Sequence, residues 1–195
     1  MAMIRYHKGI TFVRSNRKEP RDWEMINICL IGISGSGKTT LAHSLNNTSV
    51  YYKPDGEWWD NYDSEHTVIL DDFYGGLKFS FLLKLLDSKP LLVPYKGGFH
   101  QFTSKVIIIT SNQPPEKWYS FDSYEQKLPS LMRRLNGGIW HINDAQAREQ
   151  TLTGIKGRFG YRLAPDEAAA LTSAAAPEAV IATSQATTSD LPSLL

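Results

Sequence analysis

An α/β fold, a mostly parallel sheet covered by helices, is what this sequence predicts, and three features predict it. Short β-rich runs alternate with helical patterns between Met25 and about Ile142. A glycine-rich motif joins the first of those strands to the first of those helices. Two later strands end in polar residues, at the edge where a parallel sheet gathers its ligands.

The elements follow in order. Strand 26–31 is a run of apolar and β-branched residues, and helix 38–46 follows the glycines. Strand 67–70, helix 79–87, strand 106–110, helix 129–135 and strand 139–142 complete the alternation, with no internal repeat. Residues 1–24 form a basic lead-in with Arg5, Lys8, Arg14, Arg17, Lys18 and Arg21, ending in Pro20-Arg21-Asp22-Trp23. Residues 25–145 are assigned to the folded domain and 146–195 to a tail. Past Leu163 the tail turns to Ala, Ser, Thr and Pro, too poor in apolar groups to offset its ordering entropy, so disorder is expected there. Pro165-Asp166-Glu167 before the alanines could still start a short helix.

A chain of 195 residues, 42% hydrophobic and 21% charged, suffices for one domain with a core and a tail, not for two full domains. Apolar runs such as Ile28-Cys29-Leu30-Ile31 fall far short of the roughly 20 residues that cross a bilayer. The opening MAMIRYHKGI has no apolar core of a secretory signal, so an intracellular protein is expected. Cys29 is the sole cysteine, which excludes an internal disulfide and a cysteine metal cluster and reads as a buried, inert thiol. The net charge of +1 hides an asymmetry, because Asp166, Glu167, Glu178 and Asp190 face no Lys or Arg beyond Ala164. The basic excess of the rest leans toward a polyanionic partner.

Gly32-Ile33-Ser34-Gly35-Ser36-Gly37-Lys38-Thr39 fits G-x-x-x-x-G-K-[ST] without a mismatch, between a strand and a helix as the pattern requires. Glycines let successive backbone N–H groups turn inward around phosphate oxygens at a helix N-terminus. Residues Gly32 to Thr40 are thus the expected nucleotide cradle, Lys38 reaching the β- and γ-phosphates and the Thr39 hydroxyl binding Mg²⁺. Thr67-Val68-Ile69-Leu70-Asp71-Asp72 is a strand ending in two acids, with Asp71 assigned to the metal and Asp72 to polarising the attacking water. The run from Val106 ends in Thr110-Ser111-Asn112-Gln113. Asn112 either holds the water or touches the γ-phosphate, or it only begins the turn into Pro114-Pro115.

GISGSGKTT, VILDDFYGG, KGGFHQF, VIIITSNQ and LMRRL, in this order, resemble the superfamily 3 helicase domain of viral replication initiators. The resemblance is closest to the replication-associated (Rep) proteins of circoviruses and cycloviruses, and it extends over residues 4 to about 142. It implies an AAA+-like P-loop ATPase using ATP and Mg²⁺, assembled as a homo-oligomeric ring, commonly a hexamer, around single-stranded DNA. It also implies work in rolling-circle replication and location in the host nucleus. In that family the stretch before the last motif strand is a hairpin that enters the channel. Here Val93-Pro94-Tyr95-Lys96, Gly97-Gly98 and Phe99-His100-Gln101-Phe102 read as two strands about a two-residue glycine turn. Lys96 can pair with a phosphate, and Phe99 and His100 can pack on sugars or bases; the alternative is an ordinary surface hairpin. Arg133 and Arg134 match the family's arginine pair, one serving as a finger across a subunit boundary and the other as an ion-pair partner. Trp58, Trp59, Tyr62, Trp118 and Tyr119 are read as core or boundary packing rather than base platforms.

One part of the family pattern is missing. The His-hydrophobic-His motif of a Rep endonuclease is absent from this sequence, His43, His66, His100 and His141 being scattered, so origin nicking is not expected from this chain. A separate endonuclease domain is a possible partner. The competing functions are an RNA-acting superfamily 3 helicase, a small P-loop kinase and a non-catalytic nucleotide- or DNA-binding remnant.

Overall fold

Five parallel strands in the order β2-β3-β6-β1-β7 make the sheet of the computed structural model, which describes residues 18–46, 49–120 and 127–163. They are β1 (Ile26–Ile31), β2 (Val50–Tyr52), β3 (Thr67–Leu70), β6 (Val106–Ser111) and β7 (Ile139–His141). The helices are α1 (Lys38–Leu45), α2 (Phe79–Leu85), α3 (Lys127–Arg134) and α4 (Ala145–Leu163). A separate antiparallel ribbon pairs β4 (Leu92–Tyr95) with β5 (Gly98–Gln101).

The strands are apolar on both faces because both are covered. Ile26, Ile28 and Leu30 of β1, Ile69 of β3 and Val106 and Ile108 of β6 face one layer, packed with Leu41, Ala42 and Leu45 of α1 and Ile155, Phe159 and Leu163 of α4. Cys29, Ile31, Val68, Leu70, Ile107 and Ile109 alternate to the other layer, against Leu82 and Leu85 of α2, Leu131 of α3 and the rings of Trp59, Tyr62, Phe102 and Trp118. Of the aromatics read as core or boundary packing, Trp59, Tyr62 and Trp118 are buried in the core, Tyr119 packs partly buried against it, and Trp58 is exposed. Burial raises the Cys29 thiol to about 12, so it stays a neutral thiol, as expected of an inert one.

Four differences from the sequence reading have physical causes. Residues 145–163, mostly assigned to the tail, form α4, capped by Asp144, whose Oδ1 accepts the Ala147 N–H at 2.7 Å. Thr151, Ile155, Phe159 and Leu163 recur every four residues and are all buried, giving a single stripe against α1. The three-residue β2 was not anticipated; it extends the sheet beside β3. In the ribbon, Tyr95 pairs with Gly98, so the turn is Lys96-Gly97 rather than Gly97-Gly98 and Lys96 sits at its tip. Finally, the end of the lead-in belongs to the domain: Lys18 Nζ reaches the Asp63 carboxylate at 2.9 Å and Ser64 Oγ at 2.7 Å. Residues 1–17 and the tail from residue 164 lie outside the described residues.

Two buried polar side chains tie these layers together. Arg21, fully buried, donates to the carbonyls of Lys84, Leu85 and Lys89 at 2.5, 2.9 and 2.6 Å, which closes the C-terminal end of α2, and lies over the Phe102 ring at 4.8 Å. Burial draws its guanidinium down to about 10, still charged at neutral pH. Asn27 of β1 donates through Nδ2 to the carbonyls of Leu86 and Arg134, both at 2.8 Å, and its N–H is accepted by Asn136 Oδ1 at 3.0 Å.

Candidate active site

Because β1, β3 and β6 are parallel, their carboxyl ends open on one edge, and each ends in a predicted site residue. The loop Gly32–Gly37 leaves β1 between its two neighbours. The Gly32 N–H is held by the Ser111 carbonyl at 3.2 Å, and a Cβ at Gly32 would lie 2.1 Å from the Ile142 carbonyl oxygen. No other residue fits there without moving the backbone. Gly37, at φ +86°, leads into α1 with no side-chain cap, which leaves the first N–H groups of that helix for a ligand.

Lys38 is buried and folds back over the loop, its Nζ donating to the Ile33 carbonyl at 2.9 Å and Asn112 Oδ1 at 2.8 Å. Thr39 Oγ1 donates to Asp71 Oδ1 at 2.8 Å. The same oxygen accepts from Thr110 Oγ1 at 2.7 Å, and that hydroxyl in turn accepts the Asp72 N–H at 2.9 Å. Thr110 thus aims both acids, a role that sequence reading missed. Its one signal was a hydroxyl at the end of an apolar strand. Asp72 is exposed and has φ 49°, a conformation that Asp adopts more readily than most residues. Tyr74, also missed, joins the two polar ends: Asn112 Nδ2 donates to its hydroxyl, which donates to Asp72 Oδ1 at 3.4 Å.

The cradle suits a phosphate and a hard cation. Among the described residues the buried Ser36 hydroxyl finds no hydrogen-bond partner, and a phosphate oxygen would accept from it. Thr39 Oγ1 and Asp71 Oδ1 are oxygen donors already brought together, the kind of set that Mg²⁺ prefers. No group of three or more His, Cys, Asp or Glu side chains able to hold a metal ion occurs among the described residues.

The remaining candidates lie away from the cradle. Arg134 donates to Asp87 Oδ2 at 2.7 Å and to the Ser130 carbonyl at 3.0 Å, and the Asp87 carboxyl is held below its usual range chiefly by this bond. Arg133, its neighbour on α3, is exposed. On the ribbon Lys96 and Phe99 are exposed, Lys96 with its N–H on Asp60 Oδ1 at 2.9 Å. His100 is not presented in the same way. Its ring stacks on Tyr95 with centroids 4.0 Å apart, and burial, then the charge of Lys18, lower its pKa and favour the neutral ring.

Residues 28–113 match the family model described as RNA helicase. The chain is 52% identical over 125 residues to the replication-associated protein of beak and feather disease virus, covering 64% of this chain and 42% of that protein. It is 47% identical over 119 residues to that of canary circovirus, covering 61% and 40%. To that of human associated cyclovirus 1 it is 42% identical over 144 residues, covering 69% and 50%. The chain therefore spans half or less of the length of these relatives. With a parallel P-loop sheet, the motifs in their order and this degree of identity, the chain is similar over residues 28–113 to the RNA helicase family and over most of its length to circovirus and cyclovirus replication-associated proteins.

Proposed function

We propose that the chain hydrolyses ATP with Mg²⁺ and uses the cycle to move along and unwind nucleic acid, single-stranded DNA first of all, as a homo-oligomeric ring. The observation that carries this reading is the meeting of Lys38, Thr39, Asp71 and Asn112 on one sheet edge, linked by hydrogen bonds of 2.8 Å. Thr39 and Asp71 would hold Mg²⁺, which would supply charge neutralisation at the phosphates. Lys38 exchanges its Asn112 and Ile33 partners for phosphate oxygens, Asp72 accepts the proton of the attacking water, and the freed Asn112 orients that water.

The ring reading rests on Arg133. Since Arg134 is engaged with Asp87, Arg133 is the finger that one copy offers to the nucleotide of the next. Lys96 at the ribbon tip and Phe99 beside it are the contacts to the strand, one for a phosphate and one for a base or sugar.

The deciding experiment measures ATP hydrolysis across protein concentration, without nucleic acid and with single-stranded DNA or RNA. Stimulation by DNA and a cooperative rise with concentration support the ring motor. Stimulation by RNA alone favours the RNA-acting reading, which the description of the matching family model suggests. No hydrolysis at any concentration removes the motor and leaves the non-catalytic reading.

The two arginines separate cleanly. Arg133→Ala is expected to lower turnover by about 1,000-fold with the fold intact. Turnover should return when Arg133→Ala subunits are mixed with Lys38→Ala subunits, because some boundaries then pair an intact loop with an intact finger. Arg134→Ala is instead expected to cost about 1–2 kcal/mol in urea denaturation by breaking the half-buried pair with Asp87. Because the Asp87 pKa is lowered in the fold, that contribution is complete above its unfolded value of about 4 and is lost as pH falls through the folded one. Wild-type turnover in Arg133→Ala rules out its part as the finger.

A further inference from the structure

Arg148 lies in the first turn of α4, and its side chain runs back to the phosphate loop. A Cβ on Gly37 would sit 2.6 Å from Arg148 Nη1 and 3.2 Å from its Cδ, so the guanidinium rests directly on the last glycine before Lys38. Its position is fixed from below. Asp144 caps the helix with its carboxylate on the Ala147 N–H, and the Arg148 N–H bonds the Asp144 carbonyl at 3.1 Å.

Electrostatically this is a poor place for a cation. The uncapped N-terminus of α1 carries partial positive charge, and the Lys38 ammonium belongs to the same turn. Among the described residues no carboxylate pairs with Arg148. The helix N-terminus, Lys38 and Arg148 thus meet at one turn, with no carboxylate on Arg148 among the described residues, an arrangement that suits an anion.

Sheet order tells which part of the anion Arg148 addresses. Asn112 and Asp71, which mark the transferring end, follow β6 and β3 on one flank of β1. Arg148 arrives after β7, on the opposite flank. Resting on the nucleotide reading above, we propose that Arg148 is a nucleotide-binding residue that holds the non-transferred phosphates, those common to ATP and ADP, from within the same subunit. It contributes affinity for substrate and product alike and leaves the chemical step to Lys38, Asp72, Asn112 and Arg133. Product release is then governed by an arginine at the start of α4, outside the residues matched by the family model.

The test is direct binding of a fluorescent ADP analogue, N-methylanthraniloyl-ADP, followed by anisotropy at fixed salt, with turnover at saturating ATP measured alongside. Arg148→Ala is expected to weaken ADP binding about ten- to a hundred-fold, the worth of one charge-assisted hydrogen bond. Arg148→Lys, which keeps the charge and the packing over Gly37, is expected to recover part of it. The proposal is overturned if Arg148→Ala binds the analogue as tightly as wild type, whether or not turnover falls. Lost turnover with unchanged ADP affinity would assign Arg148 to the transferring end instead. A wild-type protein that binds no analogue takes down the nucleotide reading, and the inference with it.

Discussion

Lys38→Ala lowers ATP turnover by at least about 100-fold, the expected loss when a preorganised charge at the transferring phosphate is removed. The geometry makes the effect double. In the proposed reading the ammonium is the group that meets the phosphates, and in the structure it holds Asn112, through Oδ1 at 2.8 Å, on the same edge as Asp71. Without it the Asn112 amide keeps only its bond to Tyr74 among the described contacts, and the Ile33 carbonyl keeps only the Ser36 N–H, at 3.2 Å. Steady-state hydrolysis, with a thermal melt to show that the variant is folded, measures this. Turnover within about tenfold of wild type, in a folded variant, would be incompatible with the assigned role.

The largest effect on stability is expected at Arg21. Arg21→Ala leaves the carbonyls of Leu85 and Lys89 without the guanidinium, leaves that of Lys84 only the Asp87 N–H at 3.3 Å, and opens a void beside Phe102, a fully buried position. Unsatisfied buried acceptors cost about 1–3 kcal/mol each and are partly relieved by water, so the sum is about 3–5 kcal/mol. That corresponds to a fall in midpoint of roughly 10 °C for a domain of this size. Arg21→Lys is expected to recover less than half, because a single ammonium cannot span three carbonyls at the angles that a planar guanidinium meets. Differential scanning calorimetry measures both, and an unchanged midpoint in Arg21→Ala would show that the capping bonds contribute nothing net.

Much of the candidate site's placement on one sheet edge was legible, because its signals are local. The glycine loop, the acids after Thr67–Leu70 and the polar end of Val106–Ser111 each lie within a few residues of the strand that positions them. The parts that escaped depend on distant partners. Arg21 looks like one more base in a basic lead-in until its carbonyls, 63 to 68 positions away, are folded around it. The helix α4 was hidden by Gly154, Gly157 and Gly160, which depress helix propensity, and by an apolar stripe only one residue wide that α1 completes. At the ribbon, Gly97-Gly98 invites a turn, but the strands pair Tyr95 with Gly98 and Val93 with His100, two residues out from the register that such a turn requires. Hence the tip moved to Lys96-Gly97.

Asn27 has a mechanical consequence. One side chain fastens β1, the strand that feeds the phosphate loop, to the end of α2 and to the carbonyl of Arg134, the residue that follows Arg133 on α3. The strand behind the loop and the helix that carries the proposed finger are therefore tied to each other within a single copy. In the proposed ring, the angular change that follows phosphate loss is taken up at the joints between neighbours, where one copy's Arg133 meets the next copy's loop, and each subunit turns as a block.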